Sequence, residues 1–285
     1  MPQSTPTPWE TSYSPVVLGD SVSPLVVPPT PIRKPPKPPE RFSVLGVHID
    51  NVTRSQAVEL LDEIIVRRNN RSAGVFIVNA HTLNLATSDP SYRDVLNAAD
   101  YVFADGTGVR WAARLQNIRI HENMMGTDFV PQMFHTMSDC GYSYFMLGAG
   151  PQTIALAADH ARCAFPGWKQ AGFHHGYLND NAITASVIEQ INAVRPDVLL
   201  VGMGNPLQER WIHQHLSELK VPVCMGIGGL FDFWAGNVSR APRWLRRLGH
   251  EWMWRLCQQP LLKARRYLIG NPLFLARVLR ERCRS

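Results

Sequence analysis

From Phe42 onward, short apolar runs rich in β-branched and aromatic residues alternate with longer stretches whose apolar positions recur every three or four residues. The short runs Ser43–Val47, Gly74–Val78, Tyr101–Ala104, Ser143–Leu147, Lys169–Phe173, Val198–Val201 and Val221–Met225 predict strands. The longer stretches Arg54–Arg68, Pro90–Ala98, Thr107–Leu115, Phe129–Ser138, Thr153–Phe165, Asn181–Val194 and Gln208–Leu219 predict helices. Strands alternating with helices are parallel βαβ units, because a parallel pair needs a long crossover where an antiparallel pair needs only a turn. The expected fold is therefore α/β, an open, mostly parallel, Rossmann-like sheet flanked by helices. Several runs end in Gly, Asn or Asp, which places candidate ligand loops at the carboxyl ends of the strands.

The pattern fails at both ends of the chain. Residues 1–40 hold 12 of the 22 prolines and form a leader that can neither pair into a sheet nor continue a helix. The α/β domain is expected over 41–238. Residues 239–285 form a basic, Trp-rich helical appendage, read as two or three short helices punctuated by Pro260 and Gly270-Asn271-Pro272. Charge separates the same parts. The net charge is +6, yet residues 240–285 carry 12 Arg/Lys against two acids, leaving 17 bases against 21 acids elsewhere. A mildly acidic body with a basic tail excludes a uniformly basic nucleic-acid coat.

Five cysteines with no C-x-x-C pair argue against a disulfide framework or a zinc site and for reduced thiols in the cytoplasm. No apolar run reaches the roughly eighteen residues of a spanning helix, and no signal-peptide layout opens the chain. The expected location is cytoplasmic, peripheral on the inner face of the plasma membrane. His174-His175 and His213/His215 lack the i, i+4 spacing of a helical zinc pair, so no metal is expected.

Five turns carry candidate chemistry. After the Gly74–Val78 run come Asn79, His81 and Thr82, suited to a ligand or to capping a helix. Asp105-Gly106-Thr107-Gly108 offers a carboxylate beside glycines that let substrate approach. Gly148-Ala149-Gly150 opens a helix, as phosphate sites do, but Thr153 stands where a dinucleotide fingerprint has its third glycine. Gly202-Met203-Gly204-Asn205-Pro206 presents Gln208 and Glu209 at a helix start, and Gly226-Ile227-Gly228-Gly229 presents Asp232.

In order, Asn79-Ala80-His81, Asp89-Pro90-x-x-Arg93-x-x-Leu96-Asn97-x-Ala99-Asp100, Asp105-Gly106-Thr107-Gly108-Val109, Gly202-x-Gly204-x-Pro206-x-Gln208-Glu209-x-Trp211, Gly226-x-Gly228-x-x-Phe231-Asp232 and Arg240-Ala241-Pro242 resemble the WecG/TagA/CpsF family of bacterial glycosyltransferases, over about residues 43–270. The resemblance implies an inverting transferase without metal or other cofactor. It would move an N-acetylmannosamine-type sugar, or its uronic acid, from a UDP-sugar donor to a lipid-linked diphosphate acceptor, polyprenyl-diphosphate-linked N-acetylglucosamine, in cell-envelope polysaccharide synthesis.

By position, Asp105 matches the proposed general base, Asn79 a polar pocket residue, and Gln208 a glutamine near the diphosphate and acceptor. Ile77 stands where relatives often carry Thr, which leaves His81 or Thr82 to replace a hydroxyl. In the family the appendage closes over the site and touches the membrane. Here it supplies Arg240, Arg243, Arg246, Arg247 and Arg255, with Arg265 and Arg266 further along.

General chemistry agrees. An inverting transfer needs a base for the acceptor hydroxyl, and without a metal the departing diphosphate needs backbone N–H groups and Arg or Lys. Interleaved Trp and Arg in 240–285 fit an anionic membrane surface better than nucleic acid. Self-association into a homo-oligomer is compatible with all of this. Two other readings compete: a nicotinamide-dependent oxidoreductase built on the Gly148–Gly150 turn, and a non-catalytic scaffold bridging a partner to the membrane.

Overall fold

The computed structural model describes residues 38–68, 71–178, 180–242, 244–245 and 251–283. The leader through residue 37 and the tail residues Arg243, Arg246 and Arg247 lie outside them.

Eight strands form one sheet in the order β1-β2-β4-β3-β8-β7-β5-β6. They are β1 (Glu40–Val44), β2 (Val47–Asn51), β3 (Ala73–Val78), β4 (Tyr101–Ala104), β5 (Ser143–Gly148), β6 (Lys169–His174), β7 (Val198–Gly202) and β8 (Val223–Gly226). Every pair is parallel except β1–β2. That exception corrects the expected strand Ser43–Val47, which straddles a hairpin. Leu45 (φ 53°) and Gly46 (φ 78°) both take positive φ, as a two-residue turn matched to strand twist requires.

The helices are α1 (Arg54–Arg67), α2 (Ala80–Ser88), α3 (Pro90–Asn97), α4 (Gly106–Leu115), α5 (Gly126–Thr136), α6 (Pro151–Ala164), α7 (Asn181–Val194), α8 (Leu207–His215) and α9 (Leu230–Trp234). Sequence periodicity missed α2, because it directly abuts α3. Asp89 closes α2 and caps α3 through its carboxylate, so no loop separates them. Side chains alternate across each strand. Phe145 and Leu147 of β5 pack with α2, α3, α4 and α7 on one face, and Tyr144 and Met146 with α1, α5 and α6 on the other.

Beyond Asp232 follow α10 (Glu251–Gln258), α11 (Pro260–Ala264), a π-helical turn (Arg265–Ile269) and α12 (Gly270–Arg282). The expected break at Gly270-Asn271-Pro272 is absent: the chain stays helical from Pro260 to Arg282, and Pro272 falls just after the π-helical turn, where the regular i to i−4 ladder is already interrupted. Phe274 and Val278 of α12 are buried in the same core as α2 and α4. Arg277 donates to the Asn84 carbonyl at 2.8 Å, and the Leu45 amide to Glu281 at 3.1 Å. The last helix thus packs on the body of the fold.

Strands β1–β4 come from the first part of the chain and β5–β8 from the second, and the two sets meet at β3–β8. Loops leaving the carboxyl ends of neighbouring strands at such a seam diverge and open a crevice.

Candidate active site

Two residues are placed by β3 and β4. Val78 pairs with Ala104, so Asn79 and Asp105 emerge side by side, and the Asp105 amide donates to the Val78 carbonyl at 2.8 Å. Asn79 caps α2: its Oδ1 accepts from the amides of His81 (3.1 Å) and Thr82 (3.3 Å). Asp105 precedes α4 but makes no side-chain cap, so its carboxylate is left for other work. Gly106 takes φ +89° with open space where a Cβ would stand, and its amide donates to Asn123 at 2.6 Å. Thr107 is half-buried in the first turn of α4, and Thr82 is buried.

Burial pushes the Asp105 carboxyl up to about 6, with Arg255 and Arg266 pulling it down and Glu251 and Asp128 adding to the rise. Its cationic neighbours come from the last fifty residues. Arg266, in the π-helical turn, donates to Asn79 Oδ1 at 3.2 Å. Its Nε is buried with no hydrogen-bond partner among the described residues. Arg255 lies over the Phe233 ring at 4.7 Å, and its Nη2 is 3.4 Å from where a Cβ would stand on Gly229, with Asp232 Oδ2 3.5 Å from the same point.

Burial and the charges of Arg266 and Arg255 lower the Lys263 ammonium, which Asp232 partly restores. His81 is held down at about 4 by burial, Arg266 and Lys263, so at neutral pH it is an uncharged hydrogen-bonding group. Three cations crowded together and partly desolvated repel one another, and a bound anion relieves that repulsion. A buried donor with no partner fits an oxyanion in the same way.

Other sequence-predicted residues fall elsewhere. Arg240 was expected at the substrate but is committed to protein. It pairs with Glu251 (Nε–Oε1 2.9 Å) and Asp128 (2.9 Å) and donates to the Thr127 carbonyl at 3.1 Å, latching α10 to α5. Gln208 and Glu209 are buried beneath the β7 and β8 loops. Gly148 and Gly202 serve backbone packing: a Cβ on Gly148 would stand 2.3 Å from the Gly202 carbonyl oxygen, and one on Gly202 would stand 2.6 Å from the Phe231 ring. Gly150 faces the Tyr177 hydroxyl, Pro206 follows a cis peptide bond, and Gly228 takes φ +61° with open space beyond.

The structure therefore brings together Asn79, His81, Asp105, Gly106 and Asp232 with Arg255, Lys263 and Arg266. Lys263 was absent from the sequence-level site, and Arg266 entered it only beside Arg265 among the appendage's cations, with nothing to tell the two apart. The i, i+3 spacing of Lys263 and Arg266, with Arg265 on the opposite, exposed side, is the signal that could have found them. Among the described residues no group of three or more His, Cys, Asp or Glu is arranged to hold a metal ion.

The profile of the glycosyl transferase WecG/TagA/CpsF family matches residues 42–285. The chain belongs to this family. It is 31% identical over 215 residues to an N-acetylglucosaminyldiphosphoundecaprenol N-acetyl-beta-D-mannosaminyltransferase of Staphylococcus aureus, covering 75% of this chain and 84% of that one. A protein of the same name from Bacillus subtilis is 32% identical over 209 residues, covering 73% and 80%. As a WecG/TagA/CpsF glycosyltransferase the chain is an enzyme that transfers a hexosyl group. The nicotinamide and scaffold readings are thereby overturned. The turn that suggested the first, Gly148–Gly150, owes Gly148 to its contact with Gly202.

Proposed function

We propose that this glycosyltransferase moves an N-acetylmannosaminyl group, or its uronic acid, from UDP to a polyprenyl-diphosphate-linked N-acetylglucosamine, in one inverting displacement without a metal ion. The observation that carries this reading is the desolvated Asp105 carboxyl, pushed up to about 6, beside an Asn79 that Arg266 binds at 3.2 Å, with Arg255 and Arg266 as its nearest cations and Lys263 next to them. A base should titrate close to the working pH, being then both ionised and basic enough to take a proton. Asp105 takes the proton of the acceptor hydroxyl as its oxygen attacks the anomeric carbon from the face opposite UDP. The bond to UDP breaks with its electron pair leaving on the diphosphate, whose growing charge meets Arg266, Lys263 and Arg255. The names of the relatives support the sugar and the acceptor.

The acceptor's lipid calls for a membrane. Among the described residues no helix is long and apolar enough to cross one. Instead Leu261, Leu268, Ile269, Leu273 and Leu279 stand exposed along α11 to α12, Leu261 at 97%, with Arg265, Arg280 and Arg282 also exposed. An outward apolar stripe edged by arginine lies in the interface of an anionic bilayer. We place the enzyme there, on the cytoplasmic face.

The test is UDP release from a panel of UDP-hexosamines with a short-chain diphospholipid acceptor, with and without a chelator, for wild type and Asp105→Asn. Chelator-resistant release that the substitution abolishes is expected. Full turnover by Asp105→Asn would remove the base, and loss of turnover with chelator would restore a metal.

A further inference from the structure

Glu209 is a buried carboxylate with no part in the scheme above. At 0% exposed it accepts three hydrogen bonds, from the Tyr92 hydroxyl (3.0 Å, Oε2), Asn205 Nδ2 (2.6 Å, Oε1) and Gln208 Nε2 (2.7 Å, Oε1). The donors come from α3, the β7 loop and the first turn of α8. Burial pushes the carboxyl up, and these donors pull it back. Gln208, itself 1% exposed, uses its other end on the next loop, where its Oε1 accepts from the Gly228 amide at 3.0 Å. Its Nε2 lies 3.0 Å from where a Cβ would stand on Gly226. A continuous chain of bonds, Tyr92 to Glu209 to Gln208 to Gly228, thus runs beneath the site.

The two ends of a carboxamide have nearly the same shape, so only their partners decide which way it faces. Glu209 Oε1 accepts here from both Asn205 and Gln208, so Gln208 presents its N–H side to it, which turns its oxygen toward the Gly228 amide. Reversed, the amide would set N–H against N–H at Gly228 and oxygen against oxygen at Glu209. The Gly228 backbone leads into Gly229, beside Arg255 and Asp232. From this geometry we infer that Glu209 is a positioning residue. By orienting the Gln208 amide it holds the Gly226–Gly229 loop at the spacing of the sugar-nucleotide site, and both side chains act through that loop without touching substrate.

The kinetic part of this inference rests on the glycosyltransferase reading; its structural part does not. The test therefore joins amide hydrogen exchange over residues 226–229 with UDP-release kinetics, both on the full chain. Glu209→Ala should speed exchange there about tenfold or more. It should lower kcat about 10- to 100-fold, as a misplaced site does, with a smaller change in KM. Glu209→Gln, which keeps an oxygen for the two amides, should stay within about threefold on both readouts and leave the acid limb of the pH profile, set by Asp105, in place.

If Glu209→Ala fails to fold, Gln208→Ala cuts the same chain one bond further on and should show the same pair of changes. Wild-type exchange in either alanine variant overturns the inference. So does kcat lost without a loosened loop, which would mean substrate contact, or an acid limb that moves in Glu209→Gln. Should the wild type release no UDP from any UDP-hexosamine, the functional reading fails, and the exchange result alone still decides whether Glu209 holds the loop.

Discussion

Replacing Asp105 by Asn should make the protein more stable at neutral pH while removing its turnover. The carboxyl sits near 6 in the folded protein against an ordinary value of 3.8. A carboxyl whose folded pKa is raised binds more protons folded than unfolded, so wild-type stability falls as pH climbs from about 3.8 through about 6 and is level above. From those two values the folded wild type has lost about 1 kcal/mol by pH 4.5 and about 3 kcal/mol by pH 7.5, a change of about 2 kcal/mol. Partial solvent contact of a half-buried group trims this to about 1–2 kcal/mol. Asparagine keeps the shape and does not titrate. Urea unfolding of both proteins at pH 4.5 and 7.5 should show the gap shifting in favour of Asp105→Asn by that amount. A gap that stays constant with pH, or shifts toward wild type, would refute the assignment of a desolvated, raised carboxyl.

Other outcomes follow from the same geometry. Arg266→Ala removes a cation and its bond to Asn79, and should weaken UDP binding by about 2 kcal/mol, roughly thirtyfold, in calorimetry. Arg240→Ala strands Glu251 (7% exposed) and should cost about 3 kcal/mol in urea unfolding, with lysine a poor substitute for the two-pronged contact. Gly148→Ala drives a methyl into the Gly202 carbonyl at φ +146° and should cost about 2–3 kcal/mol or more, read as a fall in Tm. Leu261→Glu with Leu268→Glu, both on the exposed stripe, should reduce sedimentation with anionic liposomes about tenfold, and unchanged sedimentation would dismiss the membrane face.

Much of this was legible in the chain itself. Parallel βαβ architecture followed from strand-length apolar runs separated by helix-length amphipathic ones, since each period fixes which side of an element is buried. Asp105, Asn79 and Gly106 were visible because they stand directly after strands, where chain position alone assigns a residue to the carboxyl edge of the sheet. The hairpin at Leu45-Gly46 and the abutting pair α2–α3 escaped, because a turn of two residues or a shared cap leaves no loop to read.

What only the tertiary structure decided is where the tail's charges point. Composition shows a basic terminus, but Arg240 turns inward to Asp128 and Glu251, Arg266 and Lys263 face Asp105 and Asp232, and Arg265 faces out. Likewise Gln208 and Glu209 read as helix-start residues presented to ligand, yet they end up roofed by the β8 loop. Local sequence sets the phase of a helix about its own axis. Which neighbours that phase meets depends on packing between segments a hundred or more residues apart, and a charge takes its role from those neighbours.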